Sequence, residues 1–546
     1  MYAICCILFM SVSARAATYT VKAGGGGNYT TIQACATAMA AGDTCTVFAG
    51  TYNENVSVSA GTAGNYKTMT VNTGDIVNVL SFTISSHVKI NGFHIQNPSS
   101  PTKAPCVTVA AGGVTDYYIT NNNLYACGTY MIREDSASNT THGFIQGNTL
   151  SYSCSTSASP NVCTAMQING DFHLIENNDI SHVSDGPYVF GKHNILRKNT
   201  FHDVTDADCG SNSGNCHIDI MQADANVVGG AQPAQFLLLE NNTLTNWTLK
   251  GAFAGAGVHA GPLLQAEACS GQCQNAIIRF NTAAHVSGGG TTNDNSGNNP
   301  PPQAWINVKS YNNDWVDMLV GMGAGYGVNG HDHGSFGWAN LNEIYQFPSA
   351  NQTNPYYCVN NASACSPASF GNNLAFCTGG NCSAQLFGSL YNSGAFTSDP
   401  GNLYADPLFA NYSANNFSLS SGSPAIGAGT YLTTVATGDS GSGTSLVVND
   451  AGFFQDGSGI AGVNGDCVAV TTVTNHICIT AVNYSTNTLT LASSISRSAG
   501  AHIWLYSDSS GRQVLSGSGP NIGASVPNTG APSAPSAPTG LAGVVQ

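Results

Sequence analysis

In residues 216–222, CHIDIMQ, Ile218 and Ile220 alternate with His217, Asp219 and Met221. In an extended strand this puts the isoleucines on one face and an imidazole beside a carboxylate on the other, the equipment of general acid–base catalysis. Gln167 and Tyr188 precede this strand at positions that would stack with Asp219 on one outer surface, and Gln222 closes it. A later stretch, AWINVK, adds Trp305, Asn307 and Lys309 to the same expected surface. Amides, a phenol, an indole and an amine in one row suit a sugar-binding groove, where rings stack on pyranose faces and polar groups hold hydroxyls. Cleaving an acidic sugar polymer by elimination requires a cation to neutralise the carboxylate and a base to take the neighbouring carbon-bound proton. Tyr188, Lys192, His193, Arg197 and His217 could supply these roles, with His217, Asp219, Tyr188 and Lys192 the expected catalytic set. Asp185, Asp206, Asp208 and Asp219 could hold Ca²⁺, the first three the expected metal set, or in a hydrolase supply the carboxylate pair that protonates the leaving oxygen and activates water. Spacing does not choose between these schemes, and a solvated sheet face of ordinary polar residues is the plain alternative.

Positioning such a row requires a repeating element. From residue 120 to 372 the chain returns to a short phrase built on asparagine: NNNL, GNTL, ENNDI, KNTF, ENNTL, FNTA and GNNL, at Asn122, Asn148, Asn178, Asn199, Asn242, Asn281 and Asn372. The tightest interval, Asn178 to Asn199, is about one turn of a three-sided parallel β-solenoid, and longer gaps read as coils with loop insertions. One coil cannot bury its own apolar face, so coils stack, and a corner asparagine can bond to its counterparts above and below while tolerating a left-handed backbone. His182, His202 and His285 follow these asparagines at similar offsets and are expected to be turn residues bonded along the stack.

Near the N-terminus, residues 32–39 read as a short amphipathic helix that plugs the open end of the first coil. The phrase around it, "TIQ…A…GD…V…GTY.E.V", resembles the opening of right-handed β-helix proteins of the pectate-lyase-like superfamily. Residues 405–430, ADPLFANYSANNFSLSSGSPAIGAGT, resemble that superfamily's closing coils, with a "DIGA"-type continuation only at 520–524. The resemblance implies an all-β, right-handed parallel β-helix over residues 17–430, closed by residues 512–525. Between them, 431–511 hold short alternating strands with Gly, Asn and Asp turns, the pattern of an inserted small β-barrel or sandwich. Residues 526–546 are Pro, Ala and Ser rich and read as a linker or tail. The close aspartates and GHG and RIK strands of polygalacturonases are missing, and GHDHG at 330–334 only echoes them. No enzyme family's full catalytic set maps onto the chain.

Composition narrows the classes. Of 546 residues only 8% are charged, the net charge is −15, and Lys plus Arg number 14, which argues against nucleic acid or anionic membranes as partners. An apolar run followed by Ala14, Arg15 and Ala16 reads as a signal peptide over residues 1–16, and no later stretch is long and apolar enough for a membrane span. Outside that segment the cysteines fall into neighbours, 35/45, 106/127, 154/163, 209/216, 269/273, 358/365, 377/382 and 467/478, expected as local disulfides of an exported protein. The reading is a secreted or cell-surface monomer that cleaves or binds an extracellular polysaccharide, a lyase preferred to a hydrolase. The rival is a non-catalytic adhesion protein.

Overall fold

The computed structural model describes residues 15–97, 104–128, 130–135, 140–152, 164–183, 185–205, 208, 217–218, 220–224, 233–248, 259–260, 264–267, 273–286, 291–294, 306–317, 339–347, 369–378 and 401–526. The expected signal segment up to residue 14, Asp206, Asp219, Trp305, the GHDHG motif and the tail from 527 lie outside them.

Short strands stack in parallel, coil upon coil. One sheet of 13 strands runs from Thr18–Val21 to Ser369–Gly371, each strand paired to its equivalent in the neighbouring coils. A second, 20-stranded sheet bends into two faces, because Val77–Ile84 pairs at one end with His94–Gln96 and at the other with Val107–Val109. The solenoid therefore has three faces. Its interior is made of apolar stacks in register: Ile119, Ile145, Ile175, Leu196, Leu239 and Ile278 on one wall, and Leu124, Leu150, Ile180, Phe201 and Leu244 on the next, all buried. Burial of this kind contributes roughly 1.5–3 kcal/mol per large side chain, which no single coil could gain.

The helix Ile32–Ala38 closes the N-terminal end. Thr31 caps it, the Glu54 carboxylate accepts from Ile32 N and Gln33 N at 3.0 and 2.9 Å, and Ile32, Cys35 and Ala36 are buried. Disulfides join Cys35 to Cys45, Cys106 to Cys127 and Cys467 to Cys478, and Cys273 and Cys377 are also disulfide-bonded. Among the described residues no helix is long and apolar enough to cross a membrane.

At the corner between the first and second faces, Asn122, Asn148, Asn178, Asn199, Asn242, Asn281 and Asn313 form one continuous ladder. Each donates its backbone N–H and side-chain amide to Oδ1 of the next, at 2.9–3.1 Å. The amide also reaches a carbonyl one coil back, such as Ile90 O from Asn122, and Ile119 O, Ile145 O and Ile175 O from the next three rungs. Two details correct the sequence reading. The ladder member in the last repeat is Asn373, not Asn372. The left-handed backbone belongs to the residue before each rung, including Asn121, Asn177, Lys198, Asn241, Asn312 and Asn372 at φ 53–58°. Sharp turning and amide bonding are thus divided between consecutive residues.

Residues 405–430 do not add coils. Phe409–Asn411 and Asn416–Leu419 form an antiparallel hairpin that pairs with neither parallel sheet, and Phe417 packs on Ala284 and Val316. The chain then builds a six-stranded antiparallel module within 433–507 and returns at 520–524, where Asn521 O accepts from Asn312 Nδ2 at 2.6 Å.

The module docks on the outer face of the 13-stranded sheet. Leu174, Ile195, Leu238 and Ile277 of the solenoid share one buried apolar cluster with Val468, Val470, Leu489 and Ile503. Through this layer run buried ions: the Arg279 guanidinium grips Asp466 with two bonds of 2.8 and 2.7 Å and Glu240 with a third of 2.7 Å.

The amide ladder makes a direct prediction. Asn199→Ala strands two buried donors of Asn178 and should cost about 2–4 kcal/mol, read as a fall in the urea midpoint. A loss below about 0.5 kcal/mol would show that the corner amides are dispensable.

Candidate functional site

The third face is built from Val107–Val109, Tyr130–Glu134, Thr164–Ile168, Asp185–Val189 and Gln222–Asp224. Ile132, Met166, Ile168, Val189 and Ala223 are buried in the core. By strand alternation the intervening positions face outward, and pairing sets them in one row: Thr108, Arg133, Gln167, Tyr188, Gln222. Strand spacing makes this row about 4.8 Å per coil, running along the solenoid axis. Beside it, Tyr130, Thr164 and Asp185 share the register at the strand starts.

These groups interact. Tyr188 Oη lies 3.5 Å from Asp185 Oδ2. The Arg133 guanidinium sits 5.8 Å from the Tyr130 ring centre and 3.4 Å from Asp135 Oδ1, and its Nε is buried without a hydrogen-bond partner among the described residues. Burial pushes the Tyr130 phenol above its ordinary value; Arg133 opposes that shift and Asp185 reinforces it. A phenol that keeps its proton, a second phenol beside a carboxylate, and a guanidinium with donor capacity to spare can together transfer protons and hold an anion.

Glu134, next to Arg133, faces inward instead. Its carboxylate accepts from Tyr117 Oη at 2.7 Å and Gly170 N at 2.9 Å, from Asn169 N, and pairs with His173 Nε2 at 2.8 Å. Burial works against this charge, but His173 outweighs it and holds the Glu134 carboxyl below its usual range. Glu134 thus ties the turn at 169–170 to the core and is closed to a ligand.

Of the residues singled out from sequence, Gln167, Tyr188 and Gln222 come together here, although Gln167 and Gln222 are buried. The row position expected for Asp219 is taken by Gln222. His217–Ile218 pairs separately with His259–Ala260, outside the row. Lys192 lies beyond the next turn, its N–H on Asp171 Oδ1 at 2.7 Å, and bridges to Gln235. His193 stacks between Phe172 and Phe236 at 5.1 and 4.7 Å, with Ser458 Oγ 2.9 Å from its Nδ1, and burial pushes its pKa down. Arg197 is buried against Glu176, Gly462 and Ser509.

Asn307 and Lys309 require a correction of placement, because they belong to the 13-stranded sheet and not to this face. Asn307 donates to Asn275 Oδ1 at 3.3 Å, and Lys309 is buried in an ion pair with Asp450 at 2.7 Å under the module. Asp185 is buried beside Tyr188, whereas Asp208 accepts from Thr205 N at 2.8 Å and pairs with His182 at 3.4 Å. Among the described residues no three His, Cys, Asp or Glu side chains converge to hold a metal. Arg133 and Tyr130 were missed in the sequence reading. The signal was present: Arg133 follows Asn122 at nearly the offset at which Tyr188 follows Asn178.

His182 and His285 occupy left-handed corner positions, φ 50° and 55°. His202 lies between Asp179 at 2.7 Å and Asp203 at 2.9 Å, and these bonds raise its pKa to about 9.

The parallel pairing of equivalent strands and the capping helix define the class of the chain: a three-faced parallel β-helix carrying an inserted antiparallel module. No family model and no curated protein matches it. Similar solved structures include pectate lyase Pel9A, at 14% identity over 79% of this chain and 95% of that one with a TM-score of 0.38. A mannuronic acid specific polysaccharide family 6 lyase from human gut microbiota is 13% identical over 72% and 92%, TM-score 0.36. The tailspike protein of E. coli bacteriophage HK620 is 10% identical over 85% of each chain, TM-score 0.37.

His202 yields a pH prediction. A pKa raised from 6.5 to about 9 means that its stabilisation is full below about pH 6.5 and is lost as pH rises through about 9. Its partner Asp203, held below its usual value of 3.8, adds stability that is lost only as pH falls through that depressed value. The melting temperatures of wild type and His202→Gln should therefore differ most near pH 5–6 and converge above about pH 9.5. A gap independent of pH would contradict the assignment.

Proposed function

We propose that the protein is a secreted polysaccharide lyase that acts on an acidic extracellular polymer laid along the third face. The observation that carries this reading is the gathering of Arg133, Tyr130, Asp185 and Tyr188 on and beside one outward row that runs in the direction an extended polymer would take. Arg133 pairs with a uronate carboxylate and makes the adjacent C–H more acidic. Tyr188 gives its phenolic proton to the Asp185 carboxylate and, as the phenolate, takes the carbon-bound proton. The electron pair forms the new C=C bond as the glycosidic C–O bond breaks, and Tyr130 protonates the leaving oxygen. The local guanidinium matters because the chain as a whole, at −15, repels a polyanion. Export is supported by the disulfides. His217 and Asp219 are proposed to border the same site through the segment leading to Gln222, and Ca²⁺ remains a proposed cofactor of the loop aspartates.

The test is incubation of purified protein with polygalacturonate, alginate and glucuronan, following both unsaturated uronates and new reducing ends. Tyr188→Phe and Arg133→Ala should each lower kcat/KM by roughly a hundredfold or more with the melting temperature unchanged. His217→Ala, Asp219→Asn and a Ca²⁺ chelator test the remaining roles in the same assay. New reducing ends without unsaturation would turn the reading to hydrolysis. Full activity in both the Tyr188 and Arg133 variants would move the site off this row, and no cleavage of any polymer would favour a non-catalytic surface protein.

A further inference from the structure

The module carries a second concentration of rings that the proposed reaction does not use. In the strand His502–Ser507, Ile503 and Leu505 are buried, while His502 is exposed and Trp504 and Tyr506 are half-buried. The inward residues belong to the apolar cluster shared with the solenoid, so the alternate face, with His502, Trp504 and Tyr506, is turned to the other side of the sheet. Ala469 pairs with Trp504 on one side and His476 on the other. It is fully buried although it shares the parity of the ring-bearing face, so the neighbouring rings close over it. His476 stacks on Tyr506 at 3.7 Å with 6° between planes, and His502 stacks on Tyr431 at 3.8 Å and meets Trp504 edge-on at 5.6 Å. His476 Nδ1 is further held by Val473 O at 2.8 Å. The rings fix one another before any ligand arrives, which lowers the entropic cost of binding.

Charge identifies the occupant. Residues 431–510 contain five aspartates, one arginine, and neither Lys nor Glu. Asp439 pairs with Arg497, Asp450 with Lys309, Asp466 with Arg279 and Asp508 with Arg512, while Asp456 accepts from Ser458 N and Val482 N. None stands on the ring face, whose remaining exposed positions include Thr480, Thr490, Ser442 and Ser496. A polyanion would find no counter-charge there, and a nucleic acid would find no lysine or arginine. A neutral pyranose offers an apolar C–H face for stacking and hydroxyls for imidazole and hydroxyl partners. Trp504 and Tyr506, two residues apart on one strand, are about 7 Å apart along it, a separation on the scale of one sugar unit.

We propose that this face is a binding site for a neutral polysaccharide, with Trp504 and Tyr506 as the stacking platform and His476 and His502 as flanking polar contacts. Binding here is independent of the elimination chemistry and tethers the solenoid to a polymer that it does not cut. The experiment uses the full chain carrying Tyr188→Phe, in pull-downs on cellulose, chitin and insoluble β-1,3-glucan and in affinity electrophoresis through xylan and galactomannan. Retention by at least one neutral polymer is expected, with Trp504→Ala and Tyr506→Ala each weakening it at least about tenfold and Ser418→Ala, exposed on the separate hairpin, leaving it unchanged. Should Trp504→Ala lower the melting temperature, the Tyr506 variant decides. No retention by any neutral polymer, or retention unaltered by the ring substitutions, overturns the proposal. So does sedimentation as a dimer that Trp504→Ala dissociates, since the face would then hold a second copy of the chain.

Discussion

A backbone N–H buried at a solenoid corner has no strand partner, and the amide of the next coil satisfies it. Every rung from Asn148 to Asn313 uses its Oδ1 to accept two bonds from one neighbour, so one missing amide exposes two donors to an apolar interior. The ladder repeats at the strand spacing of the parallel sheets, which the row on the third face shares. The ladder also tolerates one substitution. Glu343 stands in the rung after Asn313 and accepts from Asn313 N, Asn313 Nδ2, Trp315 Nε1 and Ser310 Oγ. Burial raises its pKa to about 8, and the bonds from Ser310, Asn313 and Trp315 oppose that shift.

The inserted module decides which faces remain for a ligand. Its apolar layer and the Arg279, Arg197 and Lys309 contacts cover the outer surface of the 13-stranded sheet over the coils from Phe144 to Leu341. A buried ion pair of this kind contributes little net stability by itself, but removing one partner leaves a stranded charge; it therefore specifies one docking geometry. The hairpin at 409–419 packs against part of the second face. The candidate row lies on the remaining one.

The two sites proposed here divide the work by charge. Arg133 is proposed to serve an anion on the solenoid, whereas the module has committed its charged groups to docking and turns, leaving rings and hydroxyls outward.

The sequence by itself determined the repeat, because a short amide both donates and accepts along a buried corner, and six of the seven asparagines it marked are rungs. It also determined the capping helix, the three local disulfides seen at Cys35, Cys106 and Cys467, and the inserted β-strands, each of which depends on neighbours close in the chain. What it could not determine was register across insertions. A period of two separates inward from outward but does not say which of three faces a strand joins, so Asn307 and Lys309 were assigned to a row they do not share, and Gln222 stands where Asp219 was expected. The burial of Arg197 and His193 was likewise invisible, since the groups that cover them lie some 265 to 312 residues away in the chain. In a stacked solenoid each side chain's environment comes from the coil above, the coil below and whatever docks outside, and only the folded structure brings those together.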